Sequence, residues 1–201
     1  KGENMVAVEV YRSSDASFLE SQDMFRLPGI FRTVSLTATN PVEIRDLRVT
    51  TDLDEEYRDA KANISVDIRN LSKKAAKGYR VLAAIYKNEL YSDENTPIDE
   101  ARAIAPIEIT EPAAMTTASL AINVKNPAKW SAEEPNCYKL VLNNGKEFVS
   151  AIVGFFVSEI RDGRYYFNNE KIKLRGVNRH ETDPLYGHYV PRERQLQDIK
   201  M

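Results

Sequence analysis

The chain has 201 residues, 28 of them basic and 30 acidic, with a formal charge of −2 at pH 7. That balance offers no basic patch for nucleic acid, no polybasic tail for an anionic membrane, no apolar run long enough to span a bilayer and no signal-peptide pattern. Cys137 is the only cysteine, which excludes an internal disulfide or a thiolate metal cluster; in the strand-like run PNCYKLVL it reads as a buried, inert thiol. In chain order, residues 5–10 and 33–37 alternate as short strands do and flank a turn-rich stretch with Ser13, Ser14, Asp15, Pro28 and Gly29. Two or three strands cannot bury a core of their own, so this segment is expected to pack on the next domain or to be poorly ordered.

From Pro41 to about Val157 the period-two alternation becomes regular. Ala60, Ala62, Ile64, Val66 and Ile68 alternate with polar partners, as do Tyr79, Val81, Ala83 and Ile85, then Leu120, Ile122 and Val124, then Tyr138, Leu140 and Leu142. One face of each strand therefore goes to a core and the other to water. With residues 42–50, 103–109 and 147–157 the spacing predicts about seven strands, the pattern of an immunoglobulin-like β-sandwich. Tyr138 enters the sixth strand where a tyrosine corner is expected. Residues 163–174 read as a hairpin turned at Asn168 and Asn169, with residues 171–175 as a strand. That strand opens into a loop crowded with Asn178, Arg179, His180, Glu181 and Asp183, and polar side chains at a strand end suit a sugar- or phosphate-handling site. After Pro191 a helix starts, with Leu196 and Ile199 three apart. No Gly, Asn or Pro ends it, and it reads as cut off, the mark of a piece of something larger.

Three segments carry a family resemblance. Residues 175–187, RGVNRHETDPLYG, followed by RERQLQDIKM, closely resemble the first barrel strand, loop and helix of family 2 glycoside hydrolases, β-galactosidases in particular. Residues 20–32, ESQDMFRLPGIFR, resemble the signature closing that family's sugar-binding-like jelly roll, and residues 126–138, NPAKWSAEEPNCY, are similar to its NPxxWSxExPxLY pattern. The three stand in the family's order and cover nearly the whole chain.

The resemblance implies an all-β fragment in three parts. Residues 1–40 would be the last strands of a jelly roll, residues 41–157 the immunoglobulin-like sandwich, and residues 158–201 the start of a truncated (β/α)8 barrel. It implies a retaining, exo-acting β-galactosidase as the intact enzyme, a glycoside hydrolase whose two catalytic carboxyl groups lie beyond Met201. The fragment alone is then expected to be an inactive scaffold.

By the same resemblance, Asp23 binds a sodium ion and the sugar's primary hydroxyl, both suited to a carboxylate; a turn or capping aspartate is the ordinary alternative. His180 would hydrogen-bond sugar hydroxyls, with Asn178 beside it, although a lone histidine is more often structural. Asn178 and Arg179 are expected to shape the loop and partner carboxylates elsewhere in the barrel, and Arg26 and Arg32 to pin the loop near Asp23. Glu181 is not expected to be the catalytic acid. Asp183 and His188 are candidates for the pocket rim, with solvated loop residues as the ordinary reading, and Trp130 is read as packing beneath the sandwich rather than stacking on sugar. Phe156 stands where the family commonly has arginine, which removes an expected interdomain ion pair.

No cofactor is expected in the fragment; sodium and magnesium are implied for the intact enzyme. A β-galactoside is its implied partner, a homo-oligomer is compatible, and no nucleic acid or membrane partner is expected. A soluble enzyme of the cytoplasm or the periplasm fits equally. Two rivals stay open: a non-catalytic sandwich module that binds carbohydrate or a partner protein, and a β-glucuronidase or β-mannosidase of the same family.

Overall fold

Seven strands form two antiparallel sheets. The computed structural model describes residues 2–20, 25–88 and 95–201. In one sheet β1 (Val42–Leu53), β2 (Ala60–Asn70) and β5 (Met115–Val124) lie in the order β1-β2-β5. In the other, β3 (Ala76–Asn88), β4 (Asn95–Thr110), β6 (Cys137–Asn143) and β7 (Phe148–Val153) lie in the order β4-β3-β6-β7. All seven expected strands are present, with β1 and β4 longer than the sequence pattern alone suggests.

The alternation explains the core. Ile64 pairs with Leu120 and Ala62 with Ile122 across β2 and β5, while Ile85 pairs with Leu140 and Ala83 with Leu142 across β3 and β6. All eight side chains are buried in one cluster, because residues opposite each other on antiparallel strands share a face. Each fully buried Leu, Ile or Val contributes about 1.5–3 kcal/mol, which sets the register against a one-residue slip. Asn70, fully buried at the end of β2, spends its amide on the adjoining turn, accepting from Ser72 N at 2.9 Å and donating to Lys74 O at 2.8 Å.

A polar network ties the two sheets together at one edge. Glu147, in the turn between β6 and β7, accepts from Ile44 N at 2.6 Å and from Asn144 Nδ2 at 2.7 Å. The register of β1 against β2 shifts between Ile44 and Asp46, so a bulge lies beside this contact. Next to it, buried Glu43 pairs with Arg69, whose Nε donates at 2.8 Å. The hydroxyl of Thr39 and the Arg69 guanidinium hold the Glu43 carboxyl below the usual carboxylate range against the opposing effect of burial.

Beyond the sandwich, β8 (Ser158–Arg161), β9 (Arg164–Phe167) and β10 (Glu170–Lys171) make a small three-stranded meander. Asn168 and Asn169 both have positive φ, as the expected two-residue turn requires, and so do Asp162 and Gly163 in the turn before it. The meander is fixed to the sandwich by aromatic packing. Trp130 meets Phe156 and Phe167 with ring centroids 5.6 and 5.5 Å apart, and Phe156 stacks on Phe167 at 5.1 Å. Phe156 thus answers its departure from the family pattern with an aromatic contact. Asn168 closes the junction, donating from Nδ2 to Trp130 O and accepting from Val157 N, both at 3.0 Å.

The chain divides into two compact units, Ala38–Leu174 and a second made of Lys1–Thr37 with Arg175–Met201. The second unit contains a short helical turn, α1 (Ser17–Glu20), and the helix α2 (Arg192–Lys200), with Pro191 at its N-cap position. Two expectations are corrected here. Residues 5–10 and 33–37 form no strand, and the expected strand over residues 171–175 stops after Lys171. A strand exists only while a neighbour offers its backbone groups. β9 is four residues long, so its ladder runs out at the bond from Ile172 N to Tyr165 O. Among the described residues no strand lies beside 5–10 or 33–37, and Met5, Val6, Val34 and Leu36 are exposed. Among the described residues no helix is long and apolar enough to cross a membrane.

Candidate functional site

The loop from Gly176 to Val190 is shaped by its own Asp183 carboxylate. Asp183 Oδ1 accepts from Leu185 N at 2.8 Å and Tyr186 N at 3.1 Å, folding a tight turn. The turn closes by paired backbone bonds between Asp183 and Gly187, at 2.8 and 2.9 Å. The Asp183 side chain is 8% exposed and lies 3.9 Å from Arg194 of α2. It is therefore a structural group of the loop and not the solvated residue the sequence suggested.

Earlier in the loop, His180 and Asn178 are both exposed. Among the described residues the His180 ring has no hydrogen-bond or ion-pair partner, so both its nitrogens are open to a ligand. The residues flanking it are fixed. Arg179 donates from Nε and Nη2 to Asp198 Oδ2 on α2, at 3.2 and 3.0 Å. Glu181 accepts from Arg32 Nη2 at 3.0 Å. The backbone at His180 is thus pinned one residue before and one residue after, by a helix and by the segment that succeeds the QDMF motif. Arg32, expected to pin the loop near Asp23, is paired with the Glu181 carboxylate of this second loop.

Two further contacts join residues 25–32 to this loop. His188 Nε2 lies 2.8 Å from Phe25 O, and its ring sits 5.5 Å from the Phe31 ring. Leu27 packs so tightly on Gly187, whose φ is +64°, that an added Cβ would lie 2.8 Å from Leu27 Cδ1. His188 is therefore also corrected, from a solvated loop residue to a half-buried one with a backbone partner. These contacts leave an open groove between Phe25, Leu27, Phe31, Asp183, Tyr186 and Arg194, which neither Asn178 nor His180 lines. Asp23, the expected sodium and sugar ligand, lies outside the described residues. Among the described residues no group of three or more His, Cys, Asp or Glu side chains gathers as a metal ion requires.

The Trp130 indole is committed to Phe156, Phe167 and Gly154, which removes it as a sugar-stacking platform. Cys137 is half-buried at the start of β6 and unpaired among the described residues.

Residues 42–155 match the family model described as Glycosyl hydrolases family 2, residues 1–41 that family's sugar binding domain, and residues 158–201 its TIM barrel domain. A β-galactosidase of Priestia megaterium is 39% identical over 206 residues, covering 99% of this chain and 19% of the relative. One of Leuconostoc mesenteroides is 36% identical over 210 residues, covering 100% of this chain and again 19% of the relative. The chain spans about a fifth of the length of these curated relatives, 19% in each case. Among solved structures, a Bacteroides uniformis β-glucuronidase superposes with a TM-score of 0.76 at 20% identity, over 95% of this chain and 24% of that one. A β-galacturonidase of Eisenbergiella tayi superposes with a TM-score of 0.64 at 21% identity, over 80% and 26%. At that identity the likeness is one of fold. The chain belongs to glycosyl hydrolases family 2.

Proposed function

We propose that this chain is one stretch of a retaining β-galactosidase that hydrolyses terminal, non-reducing β-D-galactose residues. The observation that carries the reading is the loop at His180. A histidine whose ring nitrogens meet no partner among the described residues, beside exposed Asn178, is held from both sides by Arg179–Asp198 and Glu181–Arg32. A neutral imidazole can donate from one nitrogen and accept at the other, which fits a pair of sugar hydroxyls. Galactose is favoured over glucuronic acid because the relatives 36–39% identical are named β-galactosidase, whereas the uronidases share only the fold.

In this reading residues 1–40 belong to the jelly roll, residues 41–157 are the sandwich and residues 158–201 open the catalytic barrel. The two carboxyl groups of a retaining mechanism, one nucleophile and one acid/base, come from later barrel strands. A closed barrel takes roughly 250 residues, so the 201-residue chain alone turns over no galactoside. The full-length protein tests the reading directly, assayed on matched aryl β-D-galactoside and β-D-glucuronide. Hydrolysis of the galactoside with retained configuration supports it. A preference for the glucuronide, or inversion, sinks it.

A further inference from the structure

We propose that His188 is a positioning residue for the sugar-binding loop, acting through the Phe25 carbonyl and the Phe31 ring. The inference rests on the reading of His180 as a sugar ligand. A carbonyl can only accept, so the 2.8 Å contact with Phe25 O requires His188 to carry its proton on Nε2. The same ring lies 5.5 Å from Phe31, and the Arg32 guanidinium sits 5.2 Å from the centre of the Phe31 ring. Arg32 in turn holds Glu181 at 3.0 Å. The order His188, Phe31, Arg32, Glu181 is therefore one connected ladder, and its last rung is the residue next to His180.

The ladder has a mechanical consequence. Arg32 and Glu181 are more than half exposed, and an exposed ion pair by itself is worth little. Its strength as a positioning contact depends on Arg32 being presented in one place, and the Phe31 ring between Arg32 and His188 restricts where the guanidinium can lie. His188 fixes the start of that segment at Phe25, while Leu27 against Gly187 fixes its middle. Losing the His188 donor frees residues 25–32 at one end and lets the Arg32–Glu181 contact wander, carrying the His180 backbone with it. Misplacing a substrate-binding group by an ångström can lower the rate by about a hundredfold without touching the chemistry.

The test is steady-state kinetics of the full-length enzyme on an aryl β-galactoside. His188→Phe keeps a ring against Phe31 and removes the donor; it is expected to lower kcat/KM roughly ten- to a hundredfold. His188→Gln restores an amide N–H at similar reach and is expected to recover most of that loss. Arg32→Met cuts the ladder at its other end and gives the same direction of change, so the inference stays testable if His188→Phe misfolds. Because the effect runs through His180, the double variant with His180→Ala is expected to be no worse than His180→Ala alone. Wild-type kcat/KM in both His188→Phe and Arg32→Met overturns the proposal, as does a fully multiplicative loss in the double variant. A His180→Ala enzyme with unchanged kinetics overturns the sugar-ligand reading itself and takes this proposal with it.

Discussion

The hydroxyl of Tyr138 accepts a hydrogen bond from Ala128 N at 2.8 Å, ten residues back along the chain. It is the tyrosine corner of the sandwich. The Tyr138 ring is 3% exposed and meets Phe155 edge-on at 5.0 Å, and burial pushes the phenol pKa up against the effect of the Ala128 bond. Tyr138→Phe keeps the ring contact and deletes only the hydroxyl. The expected cost is about 1 kcal/mol, the usual net worth of one such bond, read as a lower urea midpoint at unchanged slope. A variant as stable as the parent would show that water replaces the corner at no cost.

Gly154 is predicted to tolerate no side chain. A Cβ there would lie 2.9 Å from Trp130 Cβ and 3.1 Å from its Cγ. Trp130 cannot easily retreat, because its backbone N–H donates to Phe155 O at 3.0 Å and its carbonyl accepts from Asn168. Gly154→Ala should therefore lower stability by about 1–3 kcal/mol, the range for overpacking a filled site. Trp130 is the only tryptophan, so its emission reports this site alone. A displaced indole should shift that emission, whereas an unshifted spectrum and unchanged melting would mean the junction has slack.

Much of the fold is legible in the sequence. The seven strands can be read because each buries one face, and Ile64 or Leu140 can satisfy period two only by pairing where it does. Asn168 and Asn169 announce their turn by tolerating positive φ, and Asp162 with Gly163 carries the same signal one turn earlier. Residues 5–10 alternate just as well and form no strand, since alternation says which face is apolar but not whether a neighbouring edge exists. His188 and Phe25 stand 163 positions apart, and a side chain meeting a distant carbonyl leaves no local pattern. The same holds for Arg32 and Glu181, where the motif suggests a pinning arginine and only the fold supplies its partner.

Acid should weaken the sandwich through Glu43. Its carboxyl is held below the ordinary value of 4.5, first by the Thr39 hydroxyl and then by Arg69, while burial works the other way. The unfolded chain therefore takes up this proton first as the pH falls. The contribution is complete above about 4.5 and is lost as the pH drops through the lower folded-state value. Glu43→Gln should be less stable than the parent at pH 7 by about 1–2 kcal/mol, less than for a fully enclosed pair because Arg69 keeps contact with solvent. Near pH 3 the difference should shrink. Denaturation of both proteins at the two pH values checks this, and an equal gap at each would assign the acid sensitivity to other carboxylates.

His180 and Asp23 are expected to act on the reaction and not on the fold. The His180 ring makes no contact that stabilises the described structure, so His180→Ala should leave the melting temperature of the full-length enzyme within the scatter of surface substitutions. Its expected cost lies in kcat/KM for galactosides. A hydrogen bond that strengthens as positive charge develops on the sugar is worth about 1.5–3 kcal/mol, which corresponds to a loss of roughly ten- to a hundredfold. Asp23→Asn should fall in the same range, since it keeps the shape of the group and removes its charge. The split between parameters then separates two roles. A raised KM at constant kcat means the side chain holds substrate and transition state equally, whereas a lowered kcat means the contact forms on the way to the transition state. Unchanged kinetics in both variants would remove these residues from the sugar site and leave the Arg179–Asp198 and Arg32–Glu181 pairs as features of the scaffold alone.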